Sequence, residues 1–313
     1  MKIGNIELKN NYILAPLAGI ADVGFRKVCK DFGAALTFTE MVSTKGLKYG
    51  NSNSFKILSK AENEDICGVQ LFGNDPNVFK EIISNGSVDK FDIIDINMGC
   101  PVNKVAGKGD GAHLMTDPKL AQSIIKTAVL ATKKPITVKF RKGWDSTLIN
   151  AVEFAKMCED SGASAITVHG RTRAQLYSGN ADYEIIANVK NAVKIPVIGN
   201  GDVFSKEKAE ELFKVSGCDA IMVARGAIGS PWIFAELLGK EFTGSKFDVM
   251  KEHYTLLEKS VGDRAAVMMR KHFAAYFKGM KNATKYKCAI NSLTKKEEIF
   301  ALLSEMEKDN EED

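Results

Sequence analysis

The chain is poor in the features that assign a protein quickly. Its 313 residues include six cysteines, four histidines and two tryptophans. Cys29, Cys67, Cys100, Cys158, Cys218 and Cys288 stand singly, none with a second cysteine two or four residues away, which argues against a zinc centre or a thioredoxin-like pair. No apolar run approaches the length of a membrane span, and the segment after Met1 lacks the basic, apolar and small-residue blocks of a secretory signal. The expectation is therefore a reducing, cytoplasmic setting with no disulfide framework, no membrane and no metal. The G-x-G-x-x-G and G-x-x-x-x-G-K-[ST] spacings are also missing, so no separate dinucleotide-binding or P-loop domain is expected.

Acidic residues are absent from one stretch altogether. Net charge is only +4, yet between Arg264 and Lys296 the chain carries nine lysines and arginines and no Asp or Glu. It then turns acidic, from Glu297 to the Glu311-Glu312-Asp313 end. This segregation gives a local positive field, for which the bland reading is a solvated helical face.

Short β-rich runs recur through the first three quarters, separated by helical patterns. They fall at 12–15, 35–39, 67–71, 93–96, 136–140, 165–168, 196–198 and 220–223. Asp117-Pro118 caps one intervening helix with Leu120, Ile124 and Ala128 on a face; Leu148, Val152, Ala155 and Cys158 mark another before Gly162, with Cys158 as core. Eight strands in about 240 residues match a (β/α)8 TIM barrel. An open doubly wound sheet is the alternative. From Gly239 the pattern is purely helical, with Tyr254, Leu257 and Val261 and then Met268, Phe273, Phe277 and Met280 at helix spacing. Residues 1–238 are thus expected to form the barrel and 239–313 a small all-helical domain.

The string Asp95-Ile96-Asn97-Met98-Gly99-Cys100-Pro101 puts a thiol on a turn just past an apolar strand. A structural cysteine packs inside a strand or on a buried helix face, so Cys100 reads as presented for chemistry, with a buried inert thiol as the alternative. Pro16, Glu40, Gln70, Asn97, Lys139, His169, Asn200 and Arg225 fall at or just past strand ends. In a barrel these share the face where the βα loops converge. Lys139 offers an ammonium to an electron-rich ring, and Gln70 can donate and accept on a heterocycle edge. The turns Gly199-Asn200-Gly201-Asp202 and Ala224-Arg225-Gly226 follow strands seven and eight, where barrels bind phosphate. A ring and a phosphate together suggest FMN, with Lys139 stabilising the reduced ring.

These residues, in order, resemble a known family. Ala15-Pro16-Leu17-Ala18-Gly19-Ile20-Ala21-Asp22 with Phe25-Arg26, Glu40-Met41-Val42, Val69 to Gly73, Asn97 to Pro101, Lys139-Phe140-Arg141, His169-Gly170-Arg171-Thr172, Gly199 to Asp202, Arg225-Gly226 and Met269-Arg270-Lys271-His272 are similar to tRNA-dihydrouridine synthases, most of all the bacterial B-type branch. The resemblance implies a cytoplasmic enzyme that uses FMN and NADPH, or NADH, to reduce the C5–C6 double bond of uridines in tRNA, with the D-loop as the expected region. Cys100 is implied as the proton donor to C5. Pro16, Leu17, Ala18, Gln70, Lys139, Asn200, Gly201, Asp202, Ala224 and Arg225 are implied to hold FMN, with His169 lining the flavin or its phosphate. Asn97, Lys104, Arg171, Arg270, Lys271, Lys278 and Lys281 are the candidates for tRNA contact, with Tyr276 and Tyr286 available for stacking on bases. The loop from Val102 to Gly111 is glycine-rich and can move over bound RNA. A monomer is expected. Leu17 stands where the family commonly has methionine, Ala224 where it has glycine, and His113 where it has a small residue. Two other readings share part of this pattern: a small-molecule FMN reductase of the dihydroorotate-dehydrogenase or old-yellow-enzyme kind, and a non-catalytic RNA-binding protein.

Overall fold

The computed structural model describes residues 1–61 and 64–311, so the final Glu312-Asp313 of the acidic end lies outside the described residues. An antiparallel hairpin, β1 (Lys2–Ile3) and β2 (Ile6–Glu7), precedes eight parallel strands, and sequence reading did not find it. The strands are β3 (Tyr12–Leu14), β4 (Thr37–Ser43), β5 (Cys67–Phe72), β6 (Ile93–Met98), β7 (Ile136–Arg141), β8 (Ala165–His169), β9 (Val197–Asn200) and β10 (Ala220–Val223). They pair in the order β3-β10-β9-β8-β7-β6-β5-β4, and a parallel bridge between Ile13 and Leu36 joins the two ends. The sheet therefore closes on itself, and the open doubly wound alternative falls.

Six strands run past their expected ends: β4 by four residues, β6 and β9 by two, and β5, β7 and β8 by one. Glu40 consequently lies inside β4, at a register shift between Phe38 and Met41, rather than beyond its end. The helix Pro118–Ala131 is capped by Asp117 as expected, with Ala121, Ile124, Ile125 and Ala128 buried. In the helix Ala151–Asp160, Cys158 is core, but Phe154 takes the place expected for Leu148, which precedes the helix.

Because side chains alternate across a strand, each strand feeds two cores. Ile94, Ile96 and Met98 of β6 face the surrounding helices, as do Val138, Phe140, Ile166, Val168, Ile221 and Val223 of its neighbours. Ile93 points into the barrel with Ile13, Phe38, Ala165, Ile198 and Ala220, and Ile3 and Leu8 of the hairpin segment join them. Gly68 is needed here, since a Cβ would stand 2.3 Å from the Phe38 ring. Going up the barrel in steps of two, the interior turns polar: Ile93 gives way to Asp95 and Asn97, Ala165 to Thr167 and His169, and Ile198 to Asn200.

After Gly239 come four helices, Lys246–Val261, Arg264–Tyr276, Ala283–Ile290 and Lys296–Glu311. Their core contains Tyr254, Leu257, Met269, Phe273, Phe277, Leu303 and Met306, and it also takes Val23, Val28 and Trp232 from the barrel side. Of the adjacent Met268 and Met269, the second is the fully buried one. The helix Val23–Asp31 packs closely on Lys246–Val261, where a Cβ on Gly24 would meet Leu257 and His253 at 3.0 Å.

Asp22 joins the two parts. Its Oδ1 caps the helix Val23–Asp31 by accepting from Phe25 N (3.0 Å), and its Oδ2 lies 2.7 Å from His272 Nε2 and 3.6 Å from the Lys271 ammonium. Burial alone would raise the Asp22 pKa, but the nearby His253 ring (3.6 Å) and the bond with His272 outweigh it and hold the carboxyl well below its ordinary value. Burial and the neighbouring His253 lower His272 to about 4, against the pull of Asp22. A histidine whose folded pKa is depressed binds its proton more readily when unfolded, so this contribution to stability is full above about pH 6.5 and is lost as pH falls towards about 4. Thermal unfolding between those values is expected to show a loss on the order of 3 kcal/mol from this group, and His272→Gln is expected to flatten that slope.

Candidate functional site

A cavity of about 560 Å3 opens at the C-terminal end of the barrel. Ala15 to Ala18 follow β3; Asn97, Gly99, Cys100 and Pro101 come from the end of β6; Lys139 and Arg141 from β7; His169 from β8; Asn200, Gly201 and Asp202 from β9; and Met222, Ala224 and Arg225 from β10 and its turn. The structure thus brings together all the expected cofactor residues except Gln70. Gln70 lies beneath the cavity, where its Nε2 donates to Asp95 Oδ2 (2.7 Å) and its Oε1 accepts from Asn97 Nδ2 (2.7 Å). Buried carboxylates demand donors, and Asp95 draws the amide away from a ligand edge.

Positive charge dominates the wall. Lys139 Nζ donates to Asn200 Oδ1 at 3.0 Å, and Asn200 Nδ2 donates to the Met222 carbonyl at 2.7 Å. Burial lowers Lys139 to about 8, with Arg141 adding to the effect and Asp95 opposing it. Burial likewise lowers Arg141 to about 10. Asp202 is the acid on this wall, and it is shared between Arg171 (2.6 and 2.8 Å) and Arg225 (3.0 Å). Cations desolvated together with so little negative charge form a wall suited to an anionic ligand.

His169 Nδ1 accepts from Arg171 N–H at 3.1 Å, so the ring's proton belongs on Nε2. Burial, with Lys139 and the surrounding arginines, holds this histidine well below its usual pKa and therefore neutral. Ala224 has φ −116°, which removes the concern raised by alanine in place of glycine. Asp202 and Leu176 adopt positive φ of 53° and 50°, and both line the cavity. Such backbone strain gathers at functional sites.

Cys100 is half-buried on the wall, and Asn97 Oδ1 accepts from Gly99 N (3.1 Å) and Cys100 N (2.9 Å). From the other side, Arg141 Nε donates to the Gly99 carbonyl at 2.8 Å. Burial pushes the Cys100 thiol up, against smaller opposing effects of the Val102 backbone and Arg141. The group is a neutral acid.

The candidate RNA residues are dispersed. Lys104 is exposed on the short helix Asn103–Ala106 beyond Cys100. Arg171, expected to face the substrate, is instead 2% exposed, with its guanidinium held by Asp202 and by the Ser178 and Gly179 carbonyls; it fastens a loop. Lys278 and Lys281 are exposed, whereas Arg270 and Lys271 are half-buried and Lys271 pairs with Asp22. Tyr276 and Tyr286 are not available for stacking: both are buried, with hydroxyls turned to His253 and to Asp309. Two exposed rings, Tyr177 and Phe204, stand at the cavity mouth instead, each against the Arg225 guanidinium. Loop positions without periodicity gave no signal for these two. Arg141 could have been found, being two residues from Lys139 and so on the same face. His113 packs edge-on against Trp144, with Arg173 over the other ring.

A second cavity of about 510 Å3 lies where barrel and helices meet, lined by Arg26, Glu40, Lys56, Arg264 and Met268. It contains neither Cys100 nor Lys139, both of which line the barrel-mouth cavity. Asp22, His253 and His272 come close enough together to be compatible with a cation, a grouping that sequence spacing gave no hint of.

The sequence profile of the family described as Dihydrouridine synthase (Dus) matches residues 13–311. A relative named "Probable tRNA-dihydrouridine synthase" from Rickettsia conorii is 42% identical over 303 residues, covering 93% of this chain and 91% of its own. The "tRNA-dihydrouridine synthase B" of Vibrio parahaemolyticus is 38% identical, covering 94% of each chain. Among solved structures, histamine dehydrogenase from Rhizobium sp. 4-9 matches with a TM-score of 0.59 at 15% identity, over 82% of this chain and 50% of that one, a likeness of fold.

The neutral thiol yields a prediction. In a Cys288→Ala background, which removes the exposed cysteine, alkylation by iodoacetamide at Cys100 is expected to titrate above the pKa of free cysteine. Mass spectrometry of the labelled peptide against pH checks it, and a midpoint at or below about 7 would mark a nucleophile instead.

Proposed function

The chain belongs to the dihydrouridine synthase family, and from that premise we propose that it reduces the C5–C6 double bond of uridines in tRNA, with FMN in the barrel-mouth cavity and NADPH, or NADH, as reductant. The observation that carries this reading is one cavity that combines a neutral thiol with a cation-rich wall. The donor set fits the cofactor. The turns at Gly201-Asp202 and Ala224-Arg225, with the Arg225 guanidinium, suit its phosphate. Lys139 and the Nε2–H of His169 suit the electron-rich ring, and Pro16, Leu17 and Ala18 supply its apolar contact.

FMN, when bound, supplies hydride to uracil C6. Cys100 then gives its proton to C5, a role for which a raised thiol pKa is an advantage because the acid stays charged with its proton until needed. Lys139 neutralises negative charge on the reduced ring. Asn97 keeps the Cys100 turn in place through its two N–H contacts. A target uridine must leave its stack at a cost of a few kcal/mol. The Tyr177 and Phe204 rings offer it an aromatic rim, and the helical domain repays the cost at phosphates through Lys278 and Lys281. Lys104, on the loop after Cys100, is a further phosphate contact. A tRNA substrate fits a cytoplasmic, monomeric enzyme with the D-loop as target.

Purified protein is expected to be yellow, with stoichiometric non-covalent FMN. Cys100→Ala should keep the flavin and its reduction by NADPH but lose about 10²- to 10⁴-fold in dihydrouridine formation, read by tRNA-dependent NADPH oxidation. A protein that neither carries nor takes up FMN would overturn the reading. NADPH oxidation that no tRNA stimulates would instead favour a small-molecule reductase.

Replacing Lys278 and Lys281 together by Ala should raise the KM for tRNA and lower the log–log salt slope by roughly 1.4 to 1.8 if both meet phosphate. An unchanged slope would move the RNA path to the barrel rim near Lys104.

A further inference from the structure

We propose that Asp95 is a positioning residue for proton transfer: an acceptor-only carboxylate at the foot of a Gln70–Asn97 relay, it fixes the direction in which Asn97 holds the Gly99-Cys100 turn. The inference rests on the reading of Cys100 as proton donor. Asp95 is 1% exposed on the inner face of β6. Its Oδ1 accepts from Thr137 Oγ1 (2.6 Å) and its Oδ2 from Gln70 Nε2 (2.7 Å). Gln70 Oε1 is thereby turned to Asn97, whose Nδ2 donates to it at 2.7 Å. Asn97 must then present Oδ1 to the turn, where it receives the Gly99 and Cys100 N–H groups.

An amide has nearly the same shape either way round, so sterics alone would not choose between the two orientations. Reversing Gln70 would set an oxygen against the Asp95 carboxylate and an N–H against the Asn97 N–H. Reversing both amides would set the Asn97 NH2 against two backbone donors. Each alternative leaves buried polar groups facing like groups, which is costly where no water can intervene. The ionised carboxyl at one end and the two turn N–H groups at the other therefore set the polarity of the relay together.

The groups facing Asp95 are Gln70 from β5 and Thr137 and Lys139 from β7, of which Lys139 is charged. Burial raises Asp95 to about 6, against the bonds from Thr137 and Gln70 and the charge of Lys139. Below that pH the carboxyl gains a proton and can donate, so the foot of the relay no longer imposes the polarity and the turn N–H groups hold Asn97 alone. Burial moves His169 well below its ordinary pKa and the Cys100 thiol above its own.

The test uses the FMN-loaded, NADPH-reduced full chain, mixed without oxygen with unmodified tRNA, and follows flavin reoxidation from about pH 5 to about pH 8. In the wild type the rate should fall through an acid limb near pH 6. Thr137→Val, which keeps the carboxylate but removes a donor to it, should move the limb to higher pH. Asp95→Asn should abolish the limb and run about 10- to 100-fold slower near neutrality, a range set by what small misplacements cost. Reduction by NADPH should stay within about twofold throughout, because it does not use the Cys100 proton. Asp95→Asn within about twofold of wild type, or slowed equally in both half-reactions, would overturn the proposal. If Asp95→Asn fails to fold or to hold flavin, an unmoved limb in Thr137→Val overturns it. Wild-type protein that tRNA does not reoxidise would count against the functional reading itself.

Discussion

A parallel barrel has to fill its own interior, and every polar group placed there must find a partner before it can serve a ligand. This chain meets the constraint with a graded filling. The hairpin-capped end is apolar, closed by Ile3, Leu8, Phe38 and Ile93. Two residues further up, Asp95, Gln70 and Thr137 form a bonded floor. Above them Asn97, Lys139, His169 and Asn200 open onto the cavity with part of their bonding capacity still unspent. The floor makes the mouth possible. Without it, the strand-end amides would have no fixed orientation, and the thiol turn would lose the acceptor that holds two of its N–H groups.

The electrostatics follow from the same arrangement. Lys139 and Arg141 share one face of β7, and Arg171 and Arg225 approach from neighbouring loops around the single carboxylate of Asp202. Removing cations from water while giving them few anions costs stability, as the lowered pKa values of Lys139 and Arg141 express. An anionic cofactor would recover that cost on binding. The arrangement thereby couples folding stability to the cofactor by mass action.

The helical part is tied to the same loop system. Asp22 ends the segment that begins at Pro16 on the cavity wall, caps the first barrel helix, and holds His272 and Lys271 of the helix Arg264–Tyr276. Four residues on, Arg26 is buried in a two-point pair with Glu64 (2.8 and 3.1 Å) and also bonds the Ala21 and Ser59 carbonyls. The helix that leads into the turn carrying Lys278 and Lys281 is therefore fixed to a loop that also borders the cavity. Lys271 also serves this junction through its ion pair with Asp22.

The sequence by itself determined the barrel. β-rich runs at regular spacing, caps such as Asp117-Pro118 and polar residues at strand ends are local signals, because strand and helix periods are written in adjacent residues. It also determined the chemistry of the mouth, since Cys100, Lys139, His169 and Asn200 sit at fixed offsets from those runs. What it left undecided depended on contacts across the fold. Gln70 was expected on the cavity wall, but its amide lies beneath it, bonded to Asp95 on the next strand. Arg171 looked free until Asp202 and two loop carbonyls enclosed it. Tyr276 and Tyr286 looked available until the helices closed over them. Tyr177 and Phe204, in loops with no period, became a rim only through their contact with Arg225. Local spacing says which face of a strand a side chain occupies; only tertiary structure decides which of its hydrogen bonds are already spent when it arrives there.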